Sequence, residues 1–397
     1  MRNTRSRLNI VHLEDRTAPA VFTVTTTQDN GNNGAPTAGS LRAAILSANS
    51  TAGADTINFN IAGGGVQTIL PPIALPALTE SVVIDGTSQP GYAGTPVVVL
   101  SGNSAGAGAN GLALSNHMIS TIKGLALGGW NGAGIRIDGG GQHQIRNNHI
   151  GVNAAGNGVF ANTDGIVITT ASKNNLVGGS QDARNIISGN SQAGVVLAAG
   201  SEQNTIAANF IGVAFDGVTP LGNGTHGVWV RDGAAFTTVG GAAAGAGNII
   251  ASNGSHGVRI SDPVTAGVLV QGNRIGLDFA GTASGNGGDG VHVDNFAGTT
   301  PFNGLNPPTT NTRILSNTIQ RNQGNGIAVR SNSRFVRILD NSIALNGGLG
   351  IDVDANANNG LAAPAITKVT ADTINALTVS GTIVGQPSTQ YLVTVYT

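Results

Sequence analysis

The chain has 397 residues, of which 40% are hydrophobic and 10% charged, with a formal net charge of −1. That balance, without any basic run, excludes nucleic acid or an acidic membrane surface as a partner. There is no cysteine, which removes disulfides, thiolate nucleophiles and cysteine metal sites together. No apolar run reaches about 18 residues, so no helical membrane span is predicted.

Residues 1–20 carry four arginines and end VHLEDRTAPA. They lack the apolar core of an ordinary secretory signal. Leu13, Glu14, Arg16, Pro19 and Ala20 match the L-E-x-R-x-x-P-A phrase, so the segment resembles the planctomycete extracellular leader. The resemblance implies export and an extracellular or cell-surface location.

From Val21 the chain reads FTVTTTQDNG, an alternating β-branched strand that ends in a turn. SLRAAILSANS follows, with Ser40 as N-cap and Leu41, Ala44, Ile45 and Ala48 on one helical face. Such a helix suits the cap of an open sheet end. With ADTINFNI and VIDGTSQPGYAG, residues 21–96 resemble the N-terminal segment of bacterial surface β-helix proteins, although Ala43 stands where their hallmark has Glu.

Residues 97–360 repeat. The phrase Gly–aliphatic–variable–aliphatic recurs at Gly111, Gly134, Gly165, Gly194, Gly227, Gly257, Gly290, Gly326 and Gly350. A second phrase, N-x-I, recurs at Asn148, Asn209, Asn273, Asn317 and Asn341. Aliphatics at i and i+2 bury one side of each short strand, and no helical period competes. Long loops beginning at Ile150, Ile211 and Ile275 mark a duplicated two-rung unit. A period of this size indicates a solenoid, and the predicted fold is all-β, a right-handed parallel β-helix with a short N-terminal capping helix. The array resembles the right-handed parallel β-helix repeat family, whose members range from sugar-cleaving enzymes to surface stalks.

Asn190, Asn253, Asn322 and Asn346 each precede a strand glycine by four residues. They are predicted to stack from rung to rung as an amide ladder, a structural feature rather than an active site. After Gly350, the alternation of Asp352, Asp354 and Asn356 is the weak candidate for calcium, without the Glu that an EF-hand places at its end. Residues 361–397 alternate like the start of an antiparallel β-sandwich.

Threading the rungs in register gives the outward columns. Between the two aliphatics stand Arg136, Val167, Val196, Trp229, Arg259, His292, Ala328 and Asp352. Before each glycine stand Ala133, Asp164, Ala193, His226, His256, Asp289, Asn325 and Leu349. Polar chemistry concentrates between His226 and Asp294. Trp229, Arg231 and Arg259 are the candidates for stacking on sugar rings and gripping carboxylates or hydroxyls. His226, His256 and His292, with Asp289 and Asp294, are the candidates for acid–base chemistry. NTDG at Asn162–Gly165 evokes glycosidases on this scaffold, but Asp164 lacks the partner carboxylate that hydrolysis requires. The expected function is a structural or polysaccharide-contacting role without catalysis. The alternative is a polysaccharide lyase acting across the face from Trp229 to Asp294.

Overall fold

The computed structural model describes residues 19–115, 119–262, 264–294, 311–330, 333–355 and 357–358, with the backbone of 365–371 and 377–382. Leu13, Glu14 and Arg16 of the leader phrase and Asn356 of the calcium candidate lie outside the described residues. Three parallel sheets of eleven, ten and nine strands run the length of the coil. One strand of each makes a rung, so the chain is a right-handed parallel β-helix. None of the helices among the described residues is long and apolar enough to cross a membrane.

The nine strands of the third sheet are the nine glycine phrases, from Leu112–Leu114 to Ile351–Val353. Their register matches the threaded columns: Val196 pairs with Trp229, Trp229 with Arg259, Arg259 with His292 and His292 with Ala328. The flanking aliphatics, among them Val228, Val230, Val258, Ile260, Val291 and Val293, are fully buried in one continuous core. Strand alternation then leaves the middle residue of each triplet on the outer face.

From Gly111 to Gly326 the glycine that opens the triplet is needed for close approach. A Cβ on Gly227 would lie 2.7 Å from the Gly257 carbonyl oxygen and 2.6 Å from Ile250 Cγ2. Asn162, Asn190, Asn223, Asn253, Asn286, Asn322 and Asn346 form one amide ladder, each Nδ2 donating to the next Oδ1 at 2.8–3.0 Å. A second ladder joins Asn148, Asn185, Asn209, Asn248, Asn273, Asn317 and Asn341 at the turn between the first and second sheets. Each buried amide is thereby satisfied along the axis.

At the N-terminal end the helix Leu41–Ser50 packs on the first strands, Val21–Val24 and Asp55–Phe59. Ser40 caps it by accepting from the Ala43 N–H at 3.1 Å, and Leu41, Ala44, Ile45 and Ala48 join the core. Arg42, also buried, is held by Asp29 at 2.7 Å and by the Ile73 and Ala74 carbonyls. The loops after Ile150, Ile211 and Ile275 leave the second sheet on alternate rungs and fold back over its outer side. There Val152, Ile186, Phe210, Val213, Ile249 and Ala251 make a second, small apolar cluster. Strands Ala365–Ala371 and Leu377–Thr382 pair antiparallel.

Candidate functional site

On the third sheet's outer face the residue before the glycine, where it is polar, acts as a clip between rungs. Its side chain accepts the backbone N–H of the equivalent residue one rung on. Asp164 Oδ1 takes the Ala193 N–H at 3.0 Å. His226 Nδ1 takes that of His256 at 3.4 Å, and His256 Nδ1 that of Asp289 at 2.9 Å. Asp289 Oδ1 takes that of Asn325 at 2.6 Å, and Asn325 Oδ1 that of Leu349 at 2.7 Å. Asp, His and Asn thus perform one structural task.

This column fixes the state of two histidines. Burial, with the neighbouring cations adding to it, pushes His226 down to about 3; burial and the nearby His292 push His256 down to about 4. Both are neutral at pH 7, and because each Nδ1 accepts a hydrogen bond, each Nε2 carries the proton. Their rings stack, His226 on His256 at 5.3 Å and His256 on His292 at 4.2 Å.

His292 differs. Its Nδ1 lies 2.7 Å from Asp289 Oδ2 and its Nε2 3.3 Å from Asp294 Oδ2. Burial alone would lower it, but the two carboxylates outweigh burial and raise it above the ordinary value. Asp289 and Asp294 respond in kind. Burial opposes their ionisation, yet hydrogen bonds and charge from His292, with the Asn325 N–H for one and Arg259 for the other, hold both below the usual carboxylate range. Arg259 Nη2 donates to Asp294 Oδ2 at 2.9 Å. The structure therefore brings His256, His292, Asp289, Asp294 and Arg259 into one contiguous network, with His226 stacked at its edge.

Trp229 is occupied by protein. The Arg231 guanidinium lies 4.1 Å from its ring centroid and Arg259 5.3 Å away, while His226 meets the ring edge-on at 5.1 Å. Its Nε1 donates to Ser261 Oγ at 2.9 Å, and Ser261 donates to Asp262 at 2.8 Å. The ring is thus a platform for arginines, a placement the i, i+2 relation of Trp229 and Arg231 encodes.

A metal fits poorly here, although ligand atoms of His256, Asp289 and His292 lie within 4.8 Å of one another. The His256 Nδ1 lone pair is already engaged by a backbone N–H. The two imidazoles are stacked, so their in-plane lone pairs do not converge on a point. At the C-terminal candidate, Arg330 contacts Asp352 at 2.7 Å and Asp354 at 2.9 Å. The guanidinium holds the carboxylates that calcium would need as oxygen ligands.

No family model and no curated protein sequence matches the chain. Among solved structures it is similar to the periplasmic alginate epimerase AlgG, with 17% identity over 73% of this chain and 62% of that one, at a TM-score of 0.43. The chain thus spans less than two thirds of that protein's length. It is also similar to the A-module of the mannuronan C-5 epimerase AlgE6 of Azotobacter vinelandii, at 19% identity over 80% and 92% of the two chains, TM-score 0.47. The surface adhesin PfbA of Streptococcus pneumoniae is similar at 12% identity over 92% and 98%, TM-score 0.42.

Proposed function

We propose that the outer face of the third sheet from His226 to Asp294 holds a polysaccharide without cleaving it. In this reading residues 1–20 export the protein to the cell surface or medium, and residues 21–96 start and cap the coil. Residues 97–360 form the contacting array, and residues 361–397 begin a further β-rich unit. The observation that carries the reading is the disposition of the imidazole lone pairs. His226 and His256 each commit Nδ1 to a backbone N–H, and His292 directs both nitrogens at carboxylates. A lyase needs a base within reach of the proton to be removed, and these three rings offer N–H donors instead. Arg231 and Arg259, stacked beside Trp229, add guanidinium donors suited to sugar carboxylates and hydroxyls.

Glycan-array binding tests the reading. Wild type should give a defined set of signals, and Arg259→Gln and Trp229→Ala should lose them; equal signals from all three proteins would remove this face from any binding role. The second reading, a polysaccharide lyase, is favoured by one feature. His292 between Asp289 and Asp294, beside Arg259, places a proton carrier and a cation in one patch. Release of unsaturated uronides by wild type, abolished in His292→Gln, would establish it in place of the first.

A further inference from the structure

The second sheet carries a separate cleft of about 260 Å³, lined by Asn147, His149, Gln181, Arg184, Ile186 and Phe215. Among its lining residues is Arg184, on the turn into strand Ile186–Ile187. The guanidinium lies 3.9 Å from the Phe210 ring centroid and 5.5 Å from that of Phe279. Its Nε donates to the Ala208 carbonyl at 3.1 Å. Among the described residues it forms no ion pair. A half-buried cation without a counter-ion is unfavourable unless something supplies the charge, and burial accordingly lowers its pKa. The duplicated rung has Gly247 before its ladder asparagine, so the arginine is not required by the repeat.

The rest of the cleft narrows the ligand. His149 Nδ1 donates to the Ala154 carbonyl at 2.9 Å, and burial pushes the ring down to about 4. The neutral ring therefore keeps Nε2 as an acceptor, which calls for a hydroxyl donor. Phe215 is 49% exposed at the rim and leans on His149 at 5.5 Å, giving an apolar wall for the C–H face of a ring. The volume falls just below the range of drug-sized pockets, roughly 300 Å³ and above, which suits one small ring.

We infer that this cleft binds a single acidic saccharide unit, its carboxylate on Arg184, a hydroxyl on His149 and its apolar face on Phe215. It lies on a different sheet from the His226–Asp294 face and does not depend on it.

Calorimetric titration of the full chain with a galacturonic acid trimer tests this, with free galacturonate as a second arm and the methyl-esterified trimer as a third. Tight binding of the trimer alone places a chain in the cleft, whereas equal binding of the monomer places a free sugar acid there; either supports the site. Arg184→Gln and Phe215→Ala should each weaken the acid about tenfold or more, with unchanged thermal midpoints, while Arg313→Gln, at an exposed arginine of the first sheet, leaves that binding intact. The ester should not bind. No heat with wild type, equal affinity of acid and ester, or binding lost in Arg259→Gln but kept in Arg184→Gln would each overturn the inference.

Discussion

The Nδ1 atom of His256 accepts the backbone N–H of Asp289, one rung further along, at 2.9 Å. The side chain thus serves the coil before it serves any ligand. Asn325 does the same for Leu349 through its amide oxygen. His256→Asn should therefore keep stability to within about 0.5 kcal/mol. His256→Ala leaves a buried N–H unmet and should cost about 1–3 kcal/mol. Equilibrium unfolding in urea would separate the two; equal losses would mean that ring packing, not the hydrogen bond, is what matters.

The buried histidines make stability depend on pH. Burial lowers His143, His149 and His256 to about 4 and His226 to about 3. Between their unfolded value near 6.5 and those folded values, the unfolded chain binds protons that the native chain refuses. Stability must then fall as pH falls through that window, by roughly 3 kcal/mol for a group such as His149. His292 is raised and works oppositely, its contribution full below 6.5 and lost as pH rises through its folded value. Asp289 and Asp294 are lowered, so their contribution is lost only at still lower pH. The thermal midpoint should peak near neutrality and drop towards pH 4, and His292→Gln should flatten the alkaline limb. A midpoint constant from pH 7 to 4 would contradict this account.

Gly227→Ala drives a methyl group into the Gly257 carbonyl and Ile250, and should cost more than about 2 kcal/mol. Gly64, where a Cβ would meet nothing within 4 Å, is the control: Gly64→Ala should change stability by less than about 0.5 kcal/mol. Similar unfolding midpoints for the two variants would disprove the close-approach argument.

Within the amide ladder, position should set the cost. Asn253 accepts from both the Asn223 N–H and the Asn223 Nδ2, and donates to Asn286. Its truncation to Ala strands several buried groups and should cost on the order of 3–5 kcal/mol. Asn346 ends the ladder on a more exposed rung, and Asn346→Ala should cost less than half as much. Chemical denaturation of both variants checks the order.

The coil was legible in the sequence because one strict phrase marked every strand of the third sheet. The outer columns followed by counting, and the register of Trp229, Arg259 and His292 matches that count. The amide ladder was legible only in part. Asn223 and Asn286 share the offset of Asn253 but sit in glycine-rich text that reads as loop, and Asn162 enters from an offset of three. What counting could not give was direction within a column: nothing in SHG says that the His256 lone pair points at a backbone N–H. Arg184 left no signal either, because its environment is assembled from turns and loops of different rungs.

The ladder also bears on how the protein ages. Asn223, Asn253, Asn286 and Asn346 each precede glycine, the pairing most prone to deamidation, since an unhindered glycine nitrogen attacks the side-chain amide. Here Gly224, Gly254, Gly287 and Gly347 each donate that N–H to the carbonyl of the preceding rung's ladder asparagine at 2.8 Å, and the side chains are locked in the stack. Folding therefore protects these four fragile pairs, while any unfolded interval exposes them together. Mass spectrometry should find these asparagines intact after long native storage and converted after storage in urea. Each conversion would put a negative charge into a buried amide column, so a chain that has once unfolded for long would refold less well, and chemical age would become a record of lost structure.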